Sequence, residues 1–194
     1  GSVLQQVNHG ISTGMLFLIV GVVYERRHTR EIADYGGLLR VMPVFSIVFL
    51  IAALSSMGMP PLNGFIGEIT ILKGAYQMSL NWAVWVVVGI ALGGTYLIWL
   101  YQRTMLGALE EANHALRDLS LREIAVFAPL VVWVFWIGLY PQPYFKMLER
   151  PVAQVVERVR PGYHAEHNLP NPLEATEVGQ AISPGAALPT HPAR

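Results

Sequence analysis

A long apolar run from Pro43 to Tyr76 is interrupted in its middle by Ser55-Ser56-Met57-Gly58-Met59-Pro60-Pro61-Leu62-Asn63-Gly64. Wound as one helix, the run would be about 50 Å long, against about 30 Å of bilayer hydrocarbon. Pro60 and Pro61 donate no backbone hydrogen bond, so the carbonyls of Ser56 and Met57 lose their helical partners. Met59, ahead of a proline, is pushed out of the helical region. Glu68 follows the break and is the only carboxylate within the apolar segments. An irregular backbone beside an acid is costly inside a membrane, and it survives there chiefly where it handles ions.

Composition agrees with a membrane setting. Hydrophobic residues make up 53% of the 194 and charged residues only 13%, more apolar and less charged than a soluble domain. The formal net charge is zero, so no basic surface argues for nucleic acid. The chain has no Cys, which excludes disulfides and thiolate or iron–sulfur ligation by its own residues. Gly1-Ser2-Val3-Leu4-Gln5-Gln6 is neither a methionine start nor a basic signal-peptide region, so a fragment of a longer protein is expected.

The apolar segments predict an all-α membrane protein of about four transmembrane helices: 3–24, the broken 43–76, 82–101 and 124–140. Only helices or closed barrels satisfy their backbone in lipid, and nothing here alternates with period two. Asn81 is expected to cap the third helix, and Ser120 with Glu123 to form a capping box on the fourth, which tolerates Pro129 near its start. The transmembrane region is placed at 1–145, a membrane-flanking segment at 146–160, and a Pro-rich disordered tail at 161–194. His164, His167 and His191 of that tail read as scattered solvated side chains rather than a metal site.

Arginines set the orientation. Arg26, Arg27, Arg30 and Arg40 lie in the first loop and Arg103, Arg117 and Arg122 in the third, whereas the turn 77–81 has no basic residue. Both Arg-bearing loops, 25–42 and 102–123, are therefore expected to be cytoplasmic. Lys146, Arg150, Arg158 and Arg160, after the fourth helix, run against this bias. Trp82 and Trp85 at one end of the third segment, with Trp99 and Tyr101 at the other, fit interfacial belts.

Glu68 is the first candidate for chemistry. If Asn63 caps the second half-helix, Glu68 sits about one turn inside its positive end, which favours the charged form, while burial opposes it. A carboxylate between those influences can exchange a proton; a structural acid paired with a neighbouring helix is the alternative. His9, in Asn8-His9-Gly10-Ile11-Ser12-Thr13-Gly14, is the other ionisable candidate. It is either one member of a buried hydrogen-bonded relay or a histidine satisfied locally. Gly10 and Gly14 have the spacing of close helix packing. Lys73 is five residues from Glu68, about 140° around a helix, so the two do not share a face. It lies near enough to the interface to snorkel.

Asn8-His9-Gly10-Ile11-Ser12-Thr13-Gly14, Tyr24-Glu25-Arg26-Arg27-His28-Thr29-Arg30, Gly36-Gly37-Leu38 and Gly58-Met59-Pro60-Pro61 with Asn63 and Gly67-Glu68 occur in this order. Together they resemble membrane subunit M (chain 4) of proton-pumping NADH:quinone oxidoreductase, respiratory complex I. Tyr140-Pro141-Gln142-Pro143 is similar to that family's ending. The resemblance covers roughly residues 3 to 148 and implies the last four helices of an antiporter-like bundle. It implies that Glu68 is the acid of a broken helix at the outer end of a proton path, with His9 on the polar axis that feeds it. Related subunits L and N carry Lys where Glu68 stands. The resemblance further implies a bacterial inner-membrane location, complex I membrane subunits and lipid as partners, and no cofactor in this chain. NADH, flavin, iron–sulfur and quinone sites are expected in other subunits. A subunit of a cation/proton antiporter or membrane-bound hydrogenase, or a structural membrane fragment, are the competing readings.

Overall fold

The computed structural model describes residues 1–173; the part of the expected tail at 174–194, His191 included, lies outside the described residues. Two compact units are present, Gly1–Pro141 and the segment from Gln142 onward. Within the first, the helices are α1 (Ser2–Arg27), α2 (Pro43–Ser56), α3 (Asn63–Met78), α4 (Leu80–Met105) and α5 (Leu121–Leu139). No strand occurs among the described residues. Three of these helices, α1, α4 and α5, are long and apolar enough to cross a membrane. The shorter α2 and α3 are the two halves of the broken run, as the proline pair requires.

α1 packs against α2, α3 and α5, while α3 packs against α4 and α5. The core sits where α1, α2 and α5 meet: Met15 and Ile19, Phe45 and Phe49, and Phe127 and Val134 all belong to one buried cluster. The opposite faces carry large exposed side chains, Trp85 and Leu92 at 64% and 65%. On a helix bundle of this composition such apolar faces suit contact with lipid or with further membrane helices. Trp82 and Trp99 are likewise exposed. Tyr101, expected in the same belt, instead packs edge-on against Phe49 with ring centroids 5.5 Å apart.

One end of the first unit is tied together by polar contacts. Arg26 in the last turn of α1 donates to Glu123 in the first turn of α5 at 2.8 Å. Glu123 and Ser120 complete the expected capping box on α5. Asp118 accepts from Val44 N at 2.8 Å and Phe45 N at 2.9 Å, capping α2 from a distant loop. Asn113 donates to the Asp34 carbonyl at 3.1 Å, and Gly37 N to the Leu106 carbonyl at 3.1 Å. The two Arg-bearing loops therefore share one end, and the 77–79 turn lies at the other. The arginine-rich segment is only partly a loop, because α1 continues through Arg27 and closes on His28 in the left-handed region (φ 55°). The cap of α4 is Ser79, whose side chain accepts from Asn81 N, rather than Asn81 itself.

The second unit contains α6 (Gln142–Val159) and α7 (Tyr163–Glu166). α6 begins three residues before the boundary expected at 145, and its heptad-like apolar positions give it one hydrophobic face. α7 corrects the expectation of disorder from 161 for the part that is described. Glu157 accepts from Gly162 N at 2.6 Å and lies 3.4 Å from His164 Nδ1. These hydrogen bonds hold the Glu157 carboxyl below the usual carboxylate range. His167 Nδ1 meets the Tyr163 carbonyl at 2.9 Å.

Candidate functional site

The break is built by glycine before proline. Gly58 takes a left-handed φ of 69°. Its N–H donates to the Ser55 carbonyl at 3.3 Å, and Met59 N donates to the Leu54 carbonyl at 3.0 Å. That pair of bonds is a Schellman closure, with glycine at the position that follows the cap. α2 thus ends at Ser56, closed by Gly58 beyond its cap, and Pro60 and Pro61 prevent it from resuming. The chain turns through Leu62 N to the Met59 carbonyl at 2.9 Å, and α3 starts at Asn63.

Asn63 was expected to cap α3, but Leu62 occupies the cap position and makes no side-chain bond there. The Asn63 side chain turns inward. Ser55 Oγ donates to Asn63 Oδ1 at 2.6 Å, and Asn63 Nδ2 donates to Asn8 Oδ1 at 3.3 Å. Asn8 Nδ2 returns a bond to the Asn63 carbonyl at 2.8 Å. Asn8, Ser55 and Asn63 are almost wholly buried, at 1%, 0% and 0% exposure. A satisfied polar triad of this kind fixes α1, the end of α2 and the start of α3 in one arrangement.

Backbone approaches are close here because glycines permit them. A Cβ on Gly64 would lie 3.2 Å from the Ser55 carbonyl carbon, and one on Gly138 of α5 would lie 2.6 Å from the Leu62 carbonyl carbon. By contrast, a Cβ on Gly10 or Gly14 would meet nothing within 4 Å. The expected small-residue packing is therefore found at other glycines.

Glu68 lies on the second turn of α3 and is partly buried. Its carboxylate folds back over Gly58: a Cβ at Gly58 would lie 2.6 Å from Glu68 Cδ. The carboxylate lines a cleft of about 270 Å³ together with Gln5, Ser56, Met57, Gly89 and Gly93. Among the described residues no ion pair forms to Glu68. The acid therefore lies at a largely apolar opening, whose polar side chains are Gln5, Ser56 and Glu68 itself, with no fixed cation among the described residues.

His9 does not line this cleft, and of its two readings the described residues show the locally satisfied one. α1 turns Asn8 and Ser12 into the bundle, while His9, one residue or 100° further round, is exposed. Its ring nitrogens meet Thr13 Oγ1 at 3.3 Å. It lies four residues from Gln5, one turn along nearly the same side of α1. The buried polar group on this stretch of α1 is formed by Asn8 with Ser55 and Asn63. Lys73 is exposed on the far side of α3, beside Tyr76 in an apolar groove against α4, away from Glu68 as the spacing requires.

A multi-helix membrane bundle, organised on a discontinuous helix with a carboxylate beside the break, defines an antiporter-like membrane domain. Residues 1–93 match the family described as NADH:quinone oxidoreductase/Mrp antiporter, transmembrane. NADH-quinone oxidoreductase subunit M of Rhodobacter capsulatus is 38% identical over 86% of this chain and 32% of its own length. The corresponding subunit of Rickettsia prowazekii is 41% identical over 80% of the chain and 32% of its own length. Chain 4 of NADH-ubiquinone oxidoreductase from Marchantia polymorpha is 39% identical over 81% and 32%. Among solved structures, respiratory complex I from Thermus thermophilus with bound NADH aligns with a TM-score of 0.67 and 31% identity, over 73% of this chain and 30% of that one. A membrane-bound sulfane sulfur reductase, an archaeal respiratory membrane complex, aligns with a TM-score of 0.64 and 28% identity, over 68% and 22%. Through residues 1–93 the chain matches the antiporter-like membrane family, and over about four fifths of its length it is similar to complex I subunit M and chain 4. It spans about a third of the length of these relatives.

Proposed function

We propose that the chain is the C-terminal part of a subunit that supplies the outer half of a proton path, driven by NADH:quinone oxidoreduction. The observation that carries this reading is Glu68, folded over Gly58 at the break and lining a cleft with Gln5 and Ser56 in a bundle that matches this family. Among the described residues no fixed countercharge locks that carboxylate in one state, and a change of charge nearby can load or release its proton. His9, one turn from Gln5 on α1 and nearer the Arg-bearing end, is assigned in this reading to the proton route that feeds Glu68. The inner half of the path belongs to helices upstream of Gly1.

In this reading the redox groups (NADH, flavin, iron–sulfur and quinone) lie in other subunits, and this chain binds no cofactor. Its partners are the neighbouring membrane subunits and lipid. The location is a bacterial inner membrane with loops 25–42 and 102–123 cytoplasmic. The likeness to the sulfane sulfur reductase complex supports a second reading, in which the same proton site serves a different electron donor and acceptor.

The test is made in the intact enzyme. Glu68→Gln should abolish proton pumping and the turnover coupled to it, while Glu68→Asp should keep part of both. Normal pumping by Glu68→Gln would overturn the proposal.

A further inference from the structure

Hydroxyls on the membrane helices of this chain follow a common pattern. Ser12, Ser46, Thr70, Thr95 and Thr104 each donate to the carbonyl one turn earlier, at 3.1, 2.9, 2.9, 2.8 and 2.8 Å. Ser55 bonds Asn63 at 2.6 Å. Ser56 departs from this pattern: its buried Oγ has no hydrogen-bond partner among the described residues, yet the residue borders the Glu68 cleft. A buried hydroxyl left unpaired is costly, and native structures seldom keep one without a use. Rotation about χ1 turns a serine hydroxyl from one staggered position to another, so the cleft is within its reach.

Gln5 is placed in the same cleft from the opposite side. Its carboxamide lies flat on Gly67, where a Cβ would come 2.8 Å from Gln5 Cδ. Its Oε1 accepts from Asn8 Nδ2 at 3.5 Å, a long bond to the buried triad. That contact engages the amide oxygen, and the two N–H groups of a cleft-lining glutamine are donors for a further partner. The glycine at 67 therefore holds Gln5 beside Glu68, much as the glycine at 58 accommodates the Glu68 carboxylate. Across the cleft, Gly89 and Gly93 of α4 alternate with the apolar side chains of Val86 and Ile90.

These groups converge on a space of about 270 Å³, well above the roughly 30 Å³ that a water molecule occupies in the liquid. We propose that the cleft is a water site anchored by Gln5 and Ser56, and that this water is the immediate proton partner of Glu68. The inference rests on the reading of Glu68 as a proton carrier. Protonated Glu68 gives its proton to a cleft water, leaving a carboxylate. The extra proton on that water then passes to the next water along, and loading is the reverse. No oxidant or other co-reactant is needed. Gln5 and Ser56 do not themselves change protonation state; they are positioning residues that hold the acceptor within reach.

The experiment uses the intact membrane complex and the infrared carbonyl band of protonated Glu68, identified by its loss in Glu68→Gln. Gln5→Leu and Ser56→Ala should each shift that band and slow proton pumping by about tenfold or more. Ser56→Thr, which keeps a hydroxyl, should restore both. If Gln5→Leu does not assemble, Ser56→Ala, smaller than the residue it replaces, carries the test alone. Unshifted bands and normal pumping in the assembled variants would overturn the water site, and Glu68 would keep its role as long as Glu68→Gln remained inactive. Normal pumping by Glu68→Gln would instead remove the reading beneath both.

Discussion

Gly58 and Glu68 form one structural unit at the scale of single residues. The left-handed φ of 69° at Gly58 closes α2, and its bare Cα is the surface on which the Glu68 carboxylate rests. Gly58→Ala therefore brings two penalties. The backbone conformation costs about 1–2 kcal/mol for an L-residue, and the new methyl evicts the carboxylate. The expected outcome is a complex with a lower melting temperature and proton pumping reduced in step with Glu68→Gln. Gly74→Ala serves as the contrast, because a Cβ there meets nothing within 4 Å. It should leave pumping intact and stabilise α3 by up to about 1 kcal/mol through helix propensity. Glu68 was legible in the sequence because a lone acid among apolar residues stands out without any structure. The roles of Asn63 and Asn8 were not. A side chain at a helix start looks like a local cap, and only the fold reveals a better partner 55 residues away.

Among the elements, the broken helix is held from three sides: α1 through the buried asparagines, α2 through its own closure, and α5 through Gly138. Gly138 is the least tolerant of these supports. A Cβ on it would press on the backbone of Pro61 and Leu62, which cannot swing aside as a side chain can. Gly138→Ala should destabilise the subunit by about 1–3 kcal/mol, read as a drop in thermal stability of the purified complex. A melting temperature equal to the parent's would show that the loop is not clamped there. Proline and hydropathy revealed the break and its two half-helices, since both act within a few residues. Arg26–Glu123 and the capping of α2 by Asp118 escaped the sequence reading. Those contacts join loops far apart in the chain, and a surface arginine looks the same whether paired or solvated. The face His9 occupies was open for a related reason: a hydropathy pattern locates a polar residue in a membrane helix but leaves its face to be set by packing.

For the whole molecule, the contacts between the Arg-bearing loops give the first unit two unlike ends. One carries the arginines, the Arg26–Glu123 pair and the capping of α2; the other carries the uncharged 77–79 turn. The chain contains no Cys, so single cysteines can report sidedness directly. With a membrane-impermeant thiol reagent, Ala112→Cys should react only from the cytoplasmic face and Gln77→Cys only from the outer face. Reaction of both from one face would contradict the orientation, as would the reverse assignment. The orientation matters because it puts Glu68, on the half-helix that runs toward 77–79, on the outer side of the break.

The central claim is that Glu68 changes protonation state as the enzyme works, and infrared difference spectroscopy of the intact complex during turnover tests it most directly. The expected result is a carboxylic-acid carbonyl signal that appears and disappears with turnover and is missing in Glu68→Gln. A difference spectrum unchanged by that substitution would mean that Glu68 stays in one state throughout, as a structural acid does, and would contradict the account.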